Sequence, residues 1–154
     1  MNDDRAPEAG SIEKNCLEFP FMPYAASYFA ALVFFLAVDI AWITTVMRPI
    51  FERNVGALLL ETPRMGAAAG FYALYVAGLL YFAVAPAVSA ETWRVAALNG
   101  AIIGFLAYGT YEATNLATLK GWSYEMLVVD VAWGMTLTAM TAVVGFLAYR
   151  WMAG

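Results

Sequence analysis

The chain has 154 residues, 63% of them hydrophobic and 13% charged, with a formal net charge of −4 and no histidine. Soluble domains run roughly 45–50% apolar and about 25% charged, so an ordinary water-facing globule is excluded and membrane-spanning helices are expected. Without imidazole, His-ligated haem, His-containing zinc or copper centres and a Ser-His-Asp triad are excluded too, and no basic patch points to nucleic acid.

Residues 1–24 read as a polar acidic tail. Asp3, Asp4, Glu8, Glu13 and Glu18 face only Arg5 and Lys14, and Pro7, Gly10 and Pro20 interrupt any regular element. The tail lacks the basic and apolar regions of a cleaved signal peptide, so the first apolar stretch is expected to remain as an anchor. Cys16, the single cysteine, has no partner for an internal disulfide.

Residues 25–152 read as one transmembrane domain. Spans are expected at 25–47, 65–87, 92–119 and 124–149, each close to the ~20 residues that cross hydrocarbon as a helix. The predicted fold class is therefore all-α: a four-span transmembrane helical bundle with a polar N-terminal tail. Residues 49–61 mix Ile50, Phe51, Val55, Leu58 and Leu59 with Glu52, Arg53 and Glu61, a pattern that suits an interfacial amphipathic helix or an ordinary loop. Pro86 is expected to stop the second helix, and Gly121 suits a left-handed position after the third. Four spans place both termini on one face, side A, opposite side B. Lys14, Arg94 and Arg150 flank side A, while Arg48, Arg53, Arg64 and Lys120 flank side B. That balance leaves orientation undecided by the positive-inside rule.

Two similar stretches, "AVDIAW" at 37–42 and "VVDVAW" at 128–133, put an aspartate and a tryptophan deep in apolar sequence. At 1.5 Å per residue, Asp39, Glu112 and Asp130 all fall about 9–12 Å below side B, as a shared site requires. On the third span Tyr108, Tyr111, Glu112 and Asn115 follow one stripe; on the fourth, Asp130 and Trp133 do so. On the first span Phe35, Asp39 and Trp42 share a face, which brings the Trp42 ring toward its own aspartate. A carboxylate facing lipid costs several kcal/mol, so these residues are expected to point into the bundle. The candidate ligand- or ion-binding set is Asp39, Trp42, Tyr108, Tyr111, Glu112, Asn115, Asp130 and Trp133. Two roles fit it: hydrogen bonds that lock helices together, or a site for a cation, a proton or a polar substrate group reached from side B.

No nucleophile–base pair, Cys-x-x-Cys, HExxH or phosphate loop is present, so no catalytic residue, metal or cofactor is assigned. "GAAAG" at 66–70 and "GAIIG" at 100–104 permit close helix approach, within the chain or in a homodimer. The stripe of Tyr72, Tyr75, Leu79 and Phe82 reads as helix packing rather than a lipid groove.

"DIAW" at 39–42, "FYALYVAGLLYFAV" at 71–84, "YEATNLATLKGW" at 111–122 and "DVAWG" at 130–134 occur in an order and spacing that resembles the bacterial membrane proteins grouped as the DUF2177 family. The likeness covers about residues 25–150. Members of that family commonly carry an aspartate where this chain has Glu112, which keeps the carboxylate, and a proline where it has Ser123. The resemblance implies a multi-pass protein of the bacterial inner (cytoplasmic) membrane and no particular reaction, with a tilt toward fatty-acid-modifying enzymes. Three functions follow as expectations. The first is a binding role accessory to membrane-lipid or fatty-acid modification, engaging a polar lipid head group or a membrane enzyme partner. The second is a proton- or cation-coupled transporter, which with four helices implies a dimer. The third is a membrane enzyme using Glu112 or Asp130 as general acid/base.

Overall fold

A computed structural model describes residues 21–154. The expected tail lies outside the described residues as far as residue 20, and residues 21–24 already belong to the first helix. In chain order the elements are α1 (Phe21–Trp42), a π-helical turn (Ile43–Met47), α2 (Arg48–Val55), a 3-10 turn (Gly56–Leu58), α3 (Met65–Leu79), a second π-helical turn (Leu80–Val84), α4 (Ala85–Ser89), α5 (Trp93–Thr118) and α6 (Tyr124–Ala153). Among the described residues the regular structure is entirely helical.

Among the described residues three stretches are long and apolar enough to cross a membrane: Phe21–Leu58, Met65–Ser89 and Tyr124–Ala153. The expected count was four. The third expected span, α5, has the length at 26 residues, but Arg94, Asn99, Thr110, Glu112, Thr114 and Asn115 dilute its apolar character. In the segment expected to be an interfacial helix or a loop, the helical path is unbroken from α1 through α2 to Leu58.

Both π-helical turns precede a proline. A proline ring removes one N–H and clashes with the carbonyl four residues back, and widening the helix by one residue lets the chain continue past it. Arg48 N–H accordingly bonds Ile43 O, and Ala85 N–H bonds Leu80 O. At the first turn the Thr44 and Thr45 hydroxyls donate to Ile40 O at 2.7 Å and Ala41 O at 2.6 Å. At the second, Asn99 of α5 donates through Nδ2 to Phe82 O at 3.1 Å. Phe82 O is the carbonyl that an N–H at position 86 would have served. Pro86 therefore does not stop the helix, which runs on through α4. Replacing Asn99 by leucine is expected to cost about 1 kcal/mol. Adding Pro86→Ala should recover most of that loss, since residue 86 regains its N–H; equilibrium unfolding of the single and double variants in mixed micelles measures both steps.

The broadest packing is α5 on α6, followed by α1 on α6. The α5–α6 approach is close because Gly100, Gly104 and Gly134 lie at the crossing: a Cβ on Gly100 would sit 2.8 Å from Thr138 O, and one on Gly104 would overlap Gly134 O. Small residues of this kind let dispersion contacts form where hydrocarbon offers no hydrophobic drive. The "GAIIG" motif is thus occupied within the chain, whereas Gly66 and Gly70 have open space beside them. Where α1, α6 and the second π-helical turn meet, the Ser27 hydroxyl donates to Gly145 O at 2.7 Å, and Val84 abuts the same glycine.

The apolar core is uneven along the bundle. At the end where α1 begins and α6 finishes, Leu79, Ala83, Val84, Ala87, Ala96, Ala142 and Phe146 form one buried cluster, and Ala31, Phe35, Val76 and Leu137 form a second at mid-height. Toward the opposite end the interior becomes polar, with Asp39 and Glu112 buried. There α3 packs chiefly on α1, whereas its π-helical continuation and α4 pack on α5. The path from α3 through α4 thus meets α5 at the end where α6 finishes and leaves a cleft between α3 and α5 toward the other.

Candidate functional site

The cleft between α3, α5 and α1 holds a cavity of about 680 Å³. Phe35, Asp39 and Ile43 of the first helical path, Phe71, Tyr72 and Tyr75 of α3, Leu106, Tyr108 and Tyr111 of α5, and Asp130 of α6 line it. Its rim is apolar and exposed at Ile43, Phe71 and Leu106. These residues lie within helices rather than at bundle ends, so the opening is lateral. Met47, only 2% exposed, and Phe51 of α2 also line the cavity.

Asp39 is 2% exposed. Its Oδ1 accepts a long hydrogen bond, 3.4 Å, from Trp133 Nε1, and its Oδ2 has no hydrogen-bond partner. The Tyr72 side chain interacts with the same carboxyl group from α3. Trp42 stacks face to face on Trp133, with centroids 4.1 Å apart and planes 6° from parallel, and its Nε1 is buried without a partner. The two Asp-x-x-Trp stretches are therefore crossed. The tryptophan of the second serves the aspartate of the first, and the tryptophan of the first supports that indole from behind.

Glu112 is fully buried and lies behind the cavity wall. Its Oε2 accepts from Trp122 Nε1 at 2.7 Å, while Oε1 has no hydrogen-bond partner. Trp122 follows Gly121, whose φ of +86° turns the chain between α5 and α6. That turn is covered by α2: Phe51 meets the Trp122 ring edge-on at 5.4 Å, a Cβ on Gly121 would be 2.8 Å from Asn54 O, and Arg53 Nη2 bonds both oxygens of Glu125 at 2.9 Å. The Glu112 and Asp130 carboxyl groups interact side chain to side chain, which connects the buried acid to the cavity.

Of the eight candidates, Asp39, Tyr108, Tyr111 and Asp130 line the cavity. Glu112, Trp42 and Trp133 stand behind those groups, and Asn115 lies one turn beyond Tyr111, whose side chain it contacts. Tyr108 is seated by Gly134, since any Cβ there would overlap its ring.

Two further tyrosines complete the wall and were read from the sequence as packing. The Tyr75 hydroxyl is 2.9 Å from Thr138 Oγ1, and Tyr72 reaches the Asp39 carboxyl group. Both rings also pack on Phe35, with centroids 5.2 Å and 5.6 Å away. Their spacing on α3 carried the signal, because two hydroxyls one turn apart inside an apolar span need partners.

The family model described as "Predicted membrane protein (DUF2177)" matches residues 24–147. No curated protein and no solved structure matches the chain.

Proposed function

The chain belongs to the DUF2177 family of predicted membrane proteins, and from that premise we propose that it binds the polar group of a membrane amphiphile in the cavity between α3 and α5. The proposal extends to a bacterial inner-membrane location, with α5 as a fourth span, and to a role accessory to membrane-lipid or fatty-acid modification. Support for α5 as a span comes from its Glu112 being buried against α6 and the adjoining turn rather than facing lipid.

One observation carries the binding reading. A laterally open, mostly apolar cavity of ligand size holds two carboxyl groups, and one of them keeps a buried oxygen without a hydrogen bond. Small-molecule sites combine apolar walls with a few placed polar groups in this manner. Burying an unsatisfied carboxylate oxygen is costly, and a bound donor would offset that cost.

The test is to block the cavity from its exposed rim. Ala107 lines the cavity from α5 and is exposed, so Ala107→Trp should fold and fill the cleft. Mass spectrometry of organic extracts from purified protein should detect an amphiphile retained by wild type and by Leu98→Trp, an exposed position outside the cavity lining. Retention by Ala107→Trp should fall at least about tenfold, or ~1.4 kcal/mol. Equal retention by all three proteins would refute binding in this cavity.

A further inference from the structure

We infer that the cavity selects an amphiphile with an ammonium head and no phosphate, a lipophilic amine that reaches it sideways from the bilayer. The inference rests on the binding reading above and adds the chemistry of the head group.

The first argument is charge. Asp39 and Asp130 line the cavity, Glu112 lies against Asp130, and no lysine or arginine contributes to the lining. The nearby bases of α2 are engaged at the surface, Arg48 with Glu52 at 2.7 Å and Arg53 with Glu125 at 2.9 Å. A phosphate or carboxylate head would meet acids and no cation. An ammonium supplies the positive charge that this lining lacks, together with N–H donors for its carboxyl groups.

The second argument is the unpartnered acceptor. Asp39 is 98% buried, complementary to its 2% exposure, lines the cavity, and leaves Oδ2 without a hydrogen bond. An N–H donor inside the cavity satisfies it. The third argument is aromatic. Phe35, Tyr72, Tyr75 and Tyr108 line the same cavity as Asp39, and ring faces within about 6 Å of a cation attract it through their quadrupoles. Among the described residues no three His, Cys, Asp or Glu side chains converge as metal ligands, which favours a bulky organic cation over a bare metal ion.

The shape of the opening selects the rest of the molecule. Ile43, Phe71 and Leu106 give the rim an exposed apolar surface, on which a tail can stay in lipid while its head enters the cleft. A short water-soluble amine gains nothing from that rim.

The experiment is calorimetric titration of the full chain in phosphatidylcholine nanodiscs, with empty nanodiscs subtracted. The probes are hexadecylammonium, hexadecanol, hexadecyl phosphate and ethylammonium, and a parallel set of nanodiscs contains phosphatidylethanolamine. Hexadecylammonium should bind at least about tenfold tighter than hexadecanol, while hexadecyl phosphate and ethylammonium should show no saturable binding. Phosphatidylethanolamine should not compete. Asp39→Asn and Asp130→Asn should each weaken the amine by about tenfold and leave the alcohol unchanged. Equal binding of amine and alcohol would overturn the charge assignment while sparing the cavity, and competition by phosphatidylethanolamine would overturn the phosphate-free assignment. If none of the long-chain probes binds, the binding reading itself falls. The wild-type probe series decides the matter even where a variant fails to fold.

Discussion

Gly104→Ala is expected to destabilise the bundle by about 3 kcal/mol or more, at or beyond the upper end of ordinary overpacking. Its Cβ would overlap Gly134 O and lie 2.8 Å from Gly134 C and 2.9 Å from Met135 Cα. All three are backbone atoms of α6 and cannot rotate aside, so the two helices must separate along their most extensive contact. That separation also disturbs the site, because Tyr108 follows Gly104 by one turn and rests on Gly134. Gly109→Ala on the same helix provides the contrast. Nothing lies within 4 Å of a Cβ at that position, and alanine is about 1 kcal/mol better than glycine inside a helix. The two substitutions should thus move stability in opposite directions. Equilibrium unfolding by SDS in mixed micelles reads both, and an unfolding midpoint for Gly104→Ala equal to wild type would mean that α5 and α6 do not cross there.

The second large effect is expected at Trp122. Its indole N–H donates to Glu112 Oε2 at 2.7 Å in a fully buried setting. Trp122→Phe keeps most of the ring packing against Phe51 and Tyr111 and removes the donor. The expected cost is about 2–3 kcal/mol, the range for hydrogen bonds to charged groups with an acceptor left buried. Replacing Glu112 with leucine in that background removes the stranded acceptor and should restore part of the loss. A double-mutant cycle isolates this coupling. Additive losses from Trp122→Phe and Glu112→Leu would show that the bond contributes nothing to the fold.

Much of the site was legible in the sequence because burial of acids in an apolar chain is a one-dimensional signal. Asp39, Glu112 and Asp130 stand out against the residues around them, and helical spacing groups Tyr108 and Tyr111 with Glu112. Which helix approaches which is not encoded in that spacing. Trp42 shares a face with Asp39 on α1, yet the indole that bonds Asp39 is Trp133 of α6, a pairing set by how the two antiparallel helices are aligned. Tyr72 and Tyr75 read as packing for a related reason: an aromatic stripe has the same period whether it fills a core or lines a cavity.

The fold divides similarly. A helical membrane chain follows from composition, whereas Pro86 was read as a stop on local grounds. The helix continues because Asn99, thirteen positions later, bonds the carbonyl left free. Among the polar residues that lower the apolar character of α5, Glu112 is buried and Thr110 lines the cavity. Hydropathy weighs each residue by type alone and so cannot separate a polar group turned to a neighbouring helix from one turned to lipid.

The stacked indoles of Trp42 and Trp133 have an optical consequence. At 4.1 Å and nearly parallel, their electronic transitions are coupled, so the near-ultraviolet circular dichroism of the chain contains a contribution that belongs to neither ring alone. One ring is carried by α1 and the other by α6, and one of them touches Asp39. The protein thus contains its own chromophore pair, needing no added label, whose signal depends on the relative placement of two helices at the wall of the cavity.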